Sequence, residues 1–544
     1  MTSDPRAFLA LDLGTATSSA SLIGRLDGRW RLIGSTAQPA TIPVEPAIAR
    51  LIGTVRETDP SLAAALRLPD PDEAGDDAAL PRLMARTGPT PRLAVVAATA
   101  RQLGILLGAA DRAGWRTTGL SADAADPLAL TRLMLDRQIA GVLVGSGDPP
   151  AADERPGVSD LARLVAAAAA RRPELDVILA GSVADAAGLF GTGEGAASDS
   201  RGTLLLGPSA GAGDPPGEPL RALLDELRAG DDDGRTGIAR ATASLAGVLD
   251  RRIETIEVGA DAGLRCVARP AGDGGRHVRA RSAVVAAAAL LPPDPDEAVV
   301  DGIIGWSTIA RDRHRLRDRI RDLRRAPWSD ADGDGALVRM AAVRAAVGRL
   351  LAATPDLEPA AAPDLVIAAG GAWAVAPGPV VALALADVVR RPGVSQYAYD
   401  HARLLGPLGT IEDEAERRLM LRDLVDDLLV PLGSVVIVTG LHAGRDAGHI
   451  AVHAGAASSE LDLVPGGLQL VDLPPGQLAT AELRFRDPVV LGTRGRRFEV
   501  EVTGGLGGLL VDLRDIPLRF PERSERRREL LAAWQGALWT GLDE

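Results

Sequence analysis

Phe8-Leu9-Ala10-Leu11 runs into Asp12-Leu13-Gly14-Thr15-Ala16-Thr17-Ser18, and the chain resumes with Ser19-Ala20-Ser21-Leu22-Ile23. The first four residues have the pattern of a short buried strand. The last five return to β-type alternation. Asp27-Gly28 is a two-residue hairpin signal, and Trp30-Arg31-Leu32-Ile33 comes back as a third strand. The chemistry lies in the turn. Gly14 allows a close approach of backbone to a ligand. The hydroxyls of Thr15, Thr17 and Ser18, with neighbouring N–H groups, can donate to phosphate oxygens. Asp12, at the strand end, can hold hydrated magnesium, which takes one or two carboxylates plus phosphate. The same residues also suit an ordinary β-meander with a polar turn.

Asp-Leu-Gly-Thr followed by Thr-Ser on a hairpin resembles the first phosphate loop of the actin, sugar-kinase and heat-shock-chaperone ATPase superfamily. That resemblance implies two related halves, each opening with such a hairpin, with nucleotide between them. It therefore predicts a second copy downstream.

Composition narrows the chemistry. The 544 residues are enough for three or four domains, and 46% of them are hydrophobic. The formal charge of −13 repels a phosphate backbone, so nucleic acid is not expected as the main partner. Cys266 is the one cysteine, which excludes an internal disulfide and cysteine-rich metal sites and suits a reducing cytoplasm. All 60 basic residues are arginine. No P-loop lysine, Schiff-base lysine or kinase-type lysine is available, so a phosphate clamp has to use backbone N–H groups, hydroxyls or arginine. Neither a signal-peptide pattern nor an apolar run long enough to span a bilayer is found, so the expectation is a cytoplasmic protein without a membrane partner.

From Arg92 to Ser182 strands alternate with helices, which argues for a parallel sheet. Ligands gather at the carboxyl ends of such strands, so Gly145 to Asp148 and Gly181-Ser182 are candidate loops, with structural turns as the plainer reading. The second copy then arrives. Ile253-Glu254-Thr255-Ile256 is a strand, Glu257-Val258-Gly259-Ala260-Asp261-Ala262-Gly263 a turn, and Leu264-Arg265-Cys266-Val267-Ala268 the next strand. Glu257 falls on Asp12 and Gly259 on Gly14. A repeated strand, acid-x-Gly turn and hairpin is stronger than either copy alone. Asp364 to Ala369 is a further strand, running into Gly370-Gly371 and a helix; such glycines permit close approach of a flat ligand.

A narrower resemblance is carried by Gly370-Gly371, Arg391-Pro392-Gly393-Val394-Ser395, Tyr399-Asp400 and Leu404-Leu405-Gly406-Pro407-Leu408-Gly409. Val430-Pro431-Leu432-Gly433, Leu473-Pro474-Pro475-Gly476-Gln477 and Gly504-Gly505-Leu506-Gly507-Gly508 through Asp512 extend it. These stretches look like the glutamate mutase L family, most strongly from Asp364 to Trp539. The resemblance implies an α/β fold of duplicated actin-like ATPase (ribonuclease H-like) halves with an α/β insert, plus a C-terminal all-β domain. On this reading residues 1–250 are the first half with its insert, 251–430 the second half, and 431–544 a β-sandwich or barrel with a terminal helix.

It also implies a reactivating accessory role for an adenosylcobalamin-dependent mutase, using ATP and Mg2+. Asp12 and Glu257 would position the metal or its water, with Asp12 its protein ligand. Gly14, Thr15, Thr17, Ser18, Gly259 and Asp261 would hold phosphate, and Gly370 and Gly371 would flank adenosine. The second loop departs from the family's pattern near Asp-x-Gly-Gly-x-Thr-Thr-Asp, lacking the second glycine and both threonines. Ala368-Ala369 replaces a glycine-threonine. Fewer donors weaken γ-phosphate binding, so a scaffold that does not hydrolyse ATP is the alternative. A small-molecule kinase is another, with Asp148 as its loose candidate base.

Between Gly433 and Leu518 evenly spaced strands suggest a small sandwich or barrel. His449 and His453 would share a strand face, with His442 nearby. Without a cysteine they read as surface histidines rather than a metal site.

Overall fold

The structure, a computed structural model, describes residues 6–69, 80–146, 155–190, 202–213, 216–229, 233–272, 277–327, 329, 333–359, 361–442, 447–536 and 538. The chain divides into two units. One comprises residues 1–88, 232–282 and 288–544, the other residues 89–231 and 283–287.

The larger unit begins with strands β1 (Ala7–Leu13), β2 (Thr17–Leu26), β3 (Arg29–Pro39) and β4 (Arg82–Arg86), in the order β3-β2-β1-β4. β1 and β2 are antiparallel; β4 runs parallel to β1. Asp27 and Gly28 both take positive φ, 49° and 80°, as a two-residue turn matched to strand twist requires.

The smaller unit is a five-stranded sheet of β5 (Arg92–Ala97), β6 (Arg116–Ser121), β7 (Gly141–Gly145), β8 (Asp176–Ala180) and β9 (Leu204–Gly207), ordered β6-β5-β7-β8-β9. Every pairing in it is parallel. The continuous apolar runs Leu93-Ala94-Val95-Val96-Ala97 and Val142-Leu143-Val144 are buried, as strands covered on both faces must be. Two of the candidate loops meet at their carboxyl ends, where Ser146 Oγ lies 2.7 Å from Ser182 Oγ. Asp148 lies outside the described residues.

The second hairpin is β10 (Ile253–Val258), β11 (Gly263–Pro270) and β12 (Val278–Val285), and β13 (Leu365–Ala369) runs parallel to β10. The order β12-β11-β10-β13 repeats β3-β2-β1-β4. The register repeats as well. Asp12 pairs with Ser19 on one side and Ala85 on the other; Glu257 pairs with Leu264 and Ala369. In the first turn the Gly14 N–H donates to Thr17 O at 3.0 Å, and in the second the Gly259 N–H donates to Ala262 O at 2.9 Å. The fold is therefore a duplication of actin-like halves carrying an α/β insert. The helices Gly234–Leu249 and Glu414–Leu428 pack apolar residues such as Leu245, Leu421 and Leu424 into one core with Phe8 and Ile23 of the first sheet and Ile253 and Ile367 of the second.

The second sheet continues through β14 (Gly393–Asp400) and β15 (Leu429–Ile437) into the C-terminal residues. A separate sheet holds β16 (Gly448–Ala454), β17 (Ala457–Leu463), β19 (Leu478–Leu491) and β20 (Thr493–Thr503). β21 (Leu509–Asp512) joins β15 instead, and β18 (Leu468–Val471) pairs with β21 at the edge. Val436, Ile450, Leu483 and Val511 share the apolar layer between the two sheets. The C-terminal β-sandwich is thus built on the far end of the second half's own sheet. No described helix is long and apolar enough to cross a membrane.

Candidate functional site

Both hairpin turns and the Gly370-Gly371 turn open on one cavity of about 240 Å3 in the larger unit. Asp12, Gly14, Thr15 and Thr17 line it from the first half. Glu257, Gly259, Gly370 and Gly371 line it from the second. Ser18 and Asp261 are not in its wall. Ser18 is buried in β2, one residue past the turn, where strand alternation points it to the other face. Asp261 is spent on a structural ion pair: its Oδ1 accepts from Arg324 Nη2 at 2.6 Å, and Arg324 also bonds Leu291 O.

Gly370 sits at φ +90°, and a Cβ there would lie 2.9 Å from the carbonyl oxygen of Val258. An L side chain is strained at this φ, so glycine is what lets β13 end against the acidic turn.

Three groups complete the wall. Asp233 caps the helix Gly234–Leu249 by accepting from the Thr236 N–H at 2.8 Å, which sets Arg235 in the first turn. Arg235 Nε then donates to Glu257 Oε2 at 3.1 Å, with Arg235 3% exposed. At the end of β14, Asp400 accepts from the backbone N–H groups of Leu404 and Leu405, at 2.9 and 3.1 Å. Between them Arg403 takes φ +55°, a left-handed conformation rare for a non-glycine residue, and donates to Thr17 Oγ1.

Asp400 stood in the sequence only as part of a family stretch, and Arg235 and Arg403 carried no signal of their own. The missing lysines were the one hint, since they leave arginine as the cationic phosphate partner.

Burial pushes Asp12 up to about 6; Arg403 and Arg235 pull against it and Glu257 adds to it. Burial likewise raises Glu257 against the pull of Arg235. Asp400 is pushed up to about 7 by burial, with the two backbone N–H groups opposing and Asp12 reinforcing. A carboxyl raised in the folded state favours folding less as pH climbs from its unfolded value, near 4, to its folded one. Asp400→Asn removes that titration. Its stability relative to wild type is therefore expected to rise between pH 4 and 7, by up to about 1.4 kcal/mol per pH unit, and to level off above 7. Denaturation midpoints of both proteins across that range check this. A difference flat with pH contradicts it.

The donor set fits magnesium bound together with phosphate. Asp12 accepts no hydrogen bond from the described residues and reaches the cavity. No group of three or more His, Cys, Asp or Glu side chains among the described residues could hold a metal unaided. Water and phosphate oxygens would have to complete the shell, as magnesium prefers. The histidines are placed elsewhere, His442 3.6 Å from Asp487 and His453 3.9 Å from Glu482.

No protein-family model matches the chain, and no curated protein matches it. Solved structures with partial likeness include the type II variant of the Aquifex aeolicus Ppx/GppA phosphatase, at 7% identity and TM-score 0.18 over 67% of each chain. Nucleotide-free acetone carboxylase, from work on ATP-dependent acetone carboxylation, is similar at 11% identity and TM-score 0.26 over 84% of this chain and 80% of that one. A reductive activator for a corrinoid, iron-sulfur protein is similar at 14% identity and TM-score 0.19 over 78% of this chain and 62% of that one. Identities and scores this low leave the functional reading to the cavity's own residues.

Proposed function

We propose that the chain binds ATP with Mg2+ between its two halves and serves as a nucleotide-responsive accessory protein for an adenosylcobalamin-dependent mutase. The observation that carries the nucleotide part is the convergence of the Asp12, Glu257 and Gly370 turns on one cavity. Asp12 would hold the hydrated metal, Thr15 and Thr17 the phosphates, and Arg403 would supply the cation that lysine supplies elsewhere. Gly370 and Gly371 would lie against the adenosine. The mutase partner is supported by the likeness of Asp364 to Trp539 to the glutamate mutase L family. Closure of the halves on nucleotide would be the switch passed to that partner.

A specific feature favours a second version, binding without turnover. Glu257 is tied to Arg235 and Thr17 to Arg403, so two groups that a hydrolytic site would aim at water and phosphate are already engaged. Isothermal titration of wild type and Asp12→Ala with ATP and ADP, magnesium present, tests the proposal. Micromolar binding, weakened about tenfold or more by the substitution, is expected. No binding at millimolar ATP sinks it. Phosphate release with bound ATP then decides between ATPase and scaffold.

A further inference from the structure

A second cavity, of about 460 Å3, lies in the same unit on the other side of Arg403. Its wall carries two hydroxyl residues, Ser19 and Tyr399. Tyr399 is 8% exposed and Ser19 4%, and neither side chain makes a hydrogen bond with the described residues. Hydroxyls that face a cavity without a protein partner remain available to donate to a ligand there. Burial pushes Tyr399 up to about 12, so its hydroxyl stays a donor at neutral pH. Arg403 is 6% exposed and spends one donor on Thr17, leaving further N–H groups of the guanidinium fork. The rest of the wall is apolar, including Pro377, Val381 and Leu432.

We infer that this cavity binds a small organic carboxylate, its carboxylate on Arg403, Ser19 and Tyr399 and its apolar body against Val381 and Leu432. The charge balance selects the class. One planar guanidinium matches one carboxylate, in a bidentate pair. A phosphate dianion would find a single cation, with Asp400 and Asp12 close enough to act on the same arginine. The inference does not rest on nucleotide binding, because Ser19 and Tyr399 line only the second cavity.

The test is titration of the full chain, without nucleotide, with benzoate and hexanoate, with their amides as neutral counterparts, and with inorganic phosphate. At least one carboxylate is expected to bind at one site with Kd below about 10 mM, and its amide about tenfold more weakly. The double substitution Ser19→Ala, Tyr399→Phe removes both hydroxyls with little change of shape and should weaken the carboxylate about tenfold. Because no nucleotide is present in these titrations, their outcome is independent of whether the first cavity binds ATP. Should the double variant fold poorly, the anomalous signal of 4-bromobenzoate soaked into wild-type crystals should place bromine beside Val381. Neither carboxylate binding, amides binding equally well, phosphate binding instead, an unaffected double variant or bromine elsewhere would each overturn the inference.

Discussion

Asp512→Ala is expected to destabilise the larger unit by about 3–5 kcal/mol, the cost of breaking a buried ion pair from one side. Asp512 ends β21 with no exposure. Its Oδ2 accepts from Arg514 and Arg390, both at 2.6 Å, and Oδ1 accepts the Arg514 N–H at 3.0 Å. Arg514 also reaches Asp387 at 2.7 Å, and Arg344 meets Asp387 at 2.6 Å. Removing one carboxylate leaves two buried guanidiniums short of a counter-charge. Burial by itself would raise Asp512, but Arg514 and Arg390 outweigh it and hold the carboxyl below its usual value. A carboxyl lowered in this way stabilises the fold above its unfolded pKa, near 4, and that contribution is lost as pH falls through the folded value. The gap between wild type and Asp512→Ala should therefore be full at neutral pH and shrink on acidification below about 4. Denaturant titration followed by tryptophan fluorescence measures it. The contrast is Asp160→Ala: its pair with Arg163 is 76% and 68% exposed, so a loss of no more than about 1 kcal/mol is expected. Equal losses at the two sites would refute the argument.

The second large effect is steric. Gly237, in the helix Gly234–Leu249, and Gly409, in the helix Leu405–Gly409, bring two backbones into contact. A Cβ on Gly409 would overlap the carbonyl of Gly237, and one on Gly237 would overlap the carbonyl of Gly406. Backbone cannot rotate away as a side chain can, so Gly409→Ala is expected to cost about 3 kcal/mol, the upper end of overpacking. It should also reach the site. The helix Gly234–Leu249 carries Arg235, and Leu405–Gly409 follows directly on Asp400 and Arg403. Nucleotide affinity should fall about tenfold even where the protein stays folded, because positioned groups act only over short distances. Gly108→Ala is the control. It is a helical glycine with nothing within 4 Å of a Cβ, so it should be neutral or stabilising by up to about 1 kcal/mol. Matching losses at Gly409 and Gly108 would contradict the contact.

The fold was legible where local pattern and duplication agreed. The Phe8 to Ile33 hairpin carries its own turn chemistry, and Glu257 with Gly259 repeats Asp12 with Gly14 closely enough to reveal the second half. Even spacing likewise marked strands between Gly433 and Leu518. It could not name their partners, because period two says which face is apolar and nothing about which edge is shared. Within the site, residues on the turns were readable. Arg235 and Arg403 were not, since they reach the cavity through a helix start and a left-handed kink far away in sequence. Asp261 does not line the cavity for the converse reason. It sits in the expected loop, but Arg324, on a distant helix, captures its carboxylate.

Amide hydrogen exchange with and without saturating Mg2+ and ATP tests the central claim most directly. If the three turns form one nucleotide site, residues 12–18, 257–263 and 369–374 gain protection together, and Asp12→Ala abolishes the gain in all three at once. Protection confined to one turn, or none while titration shows ATP bound, would contradict a shared site between the two halves.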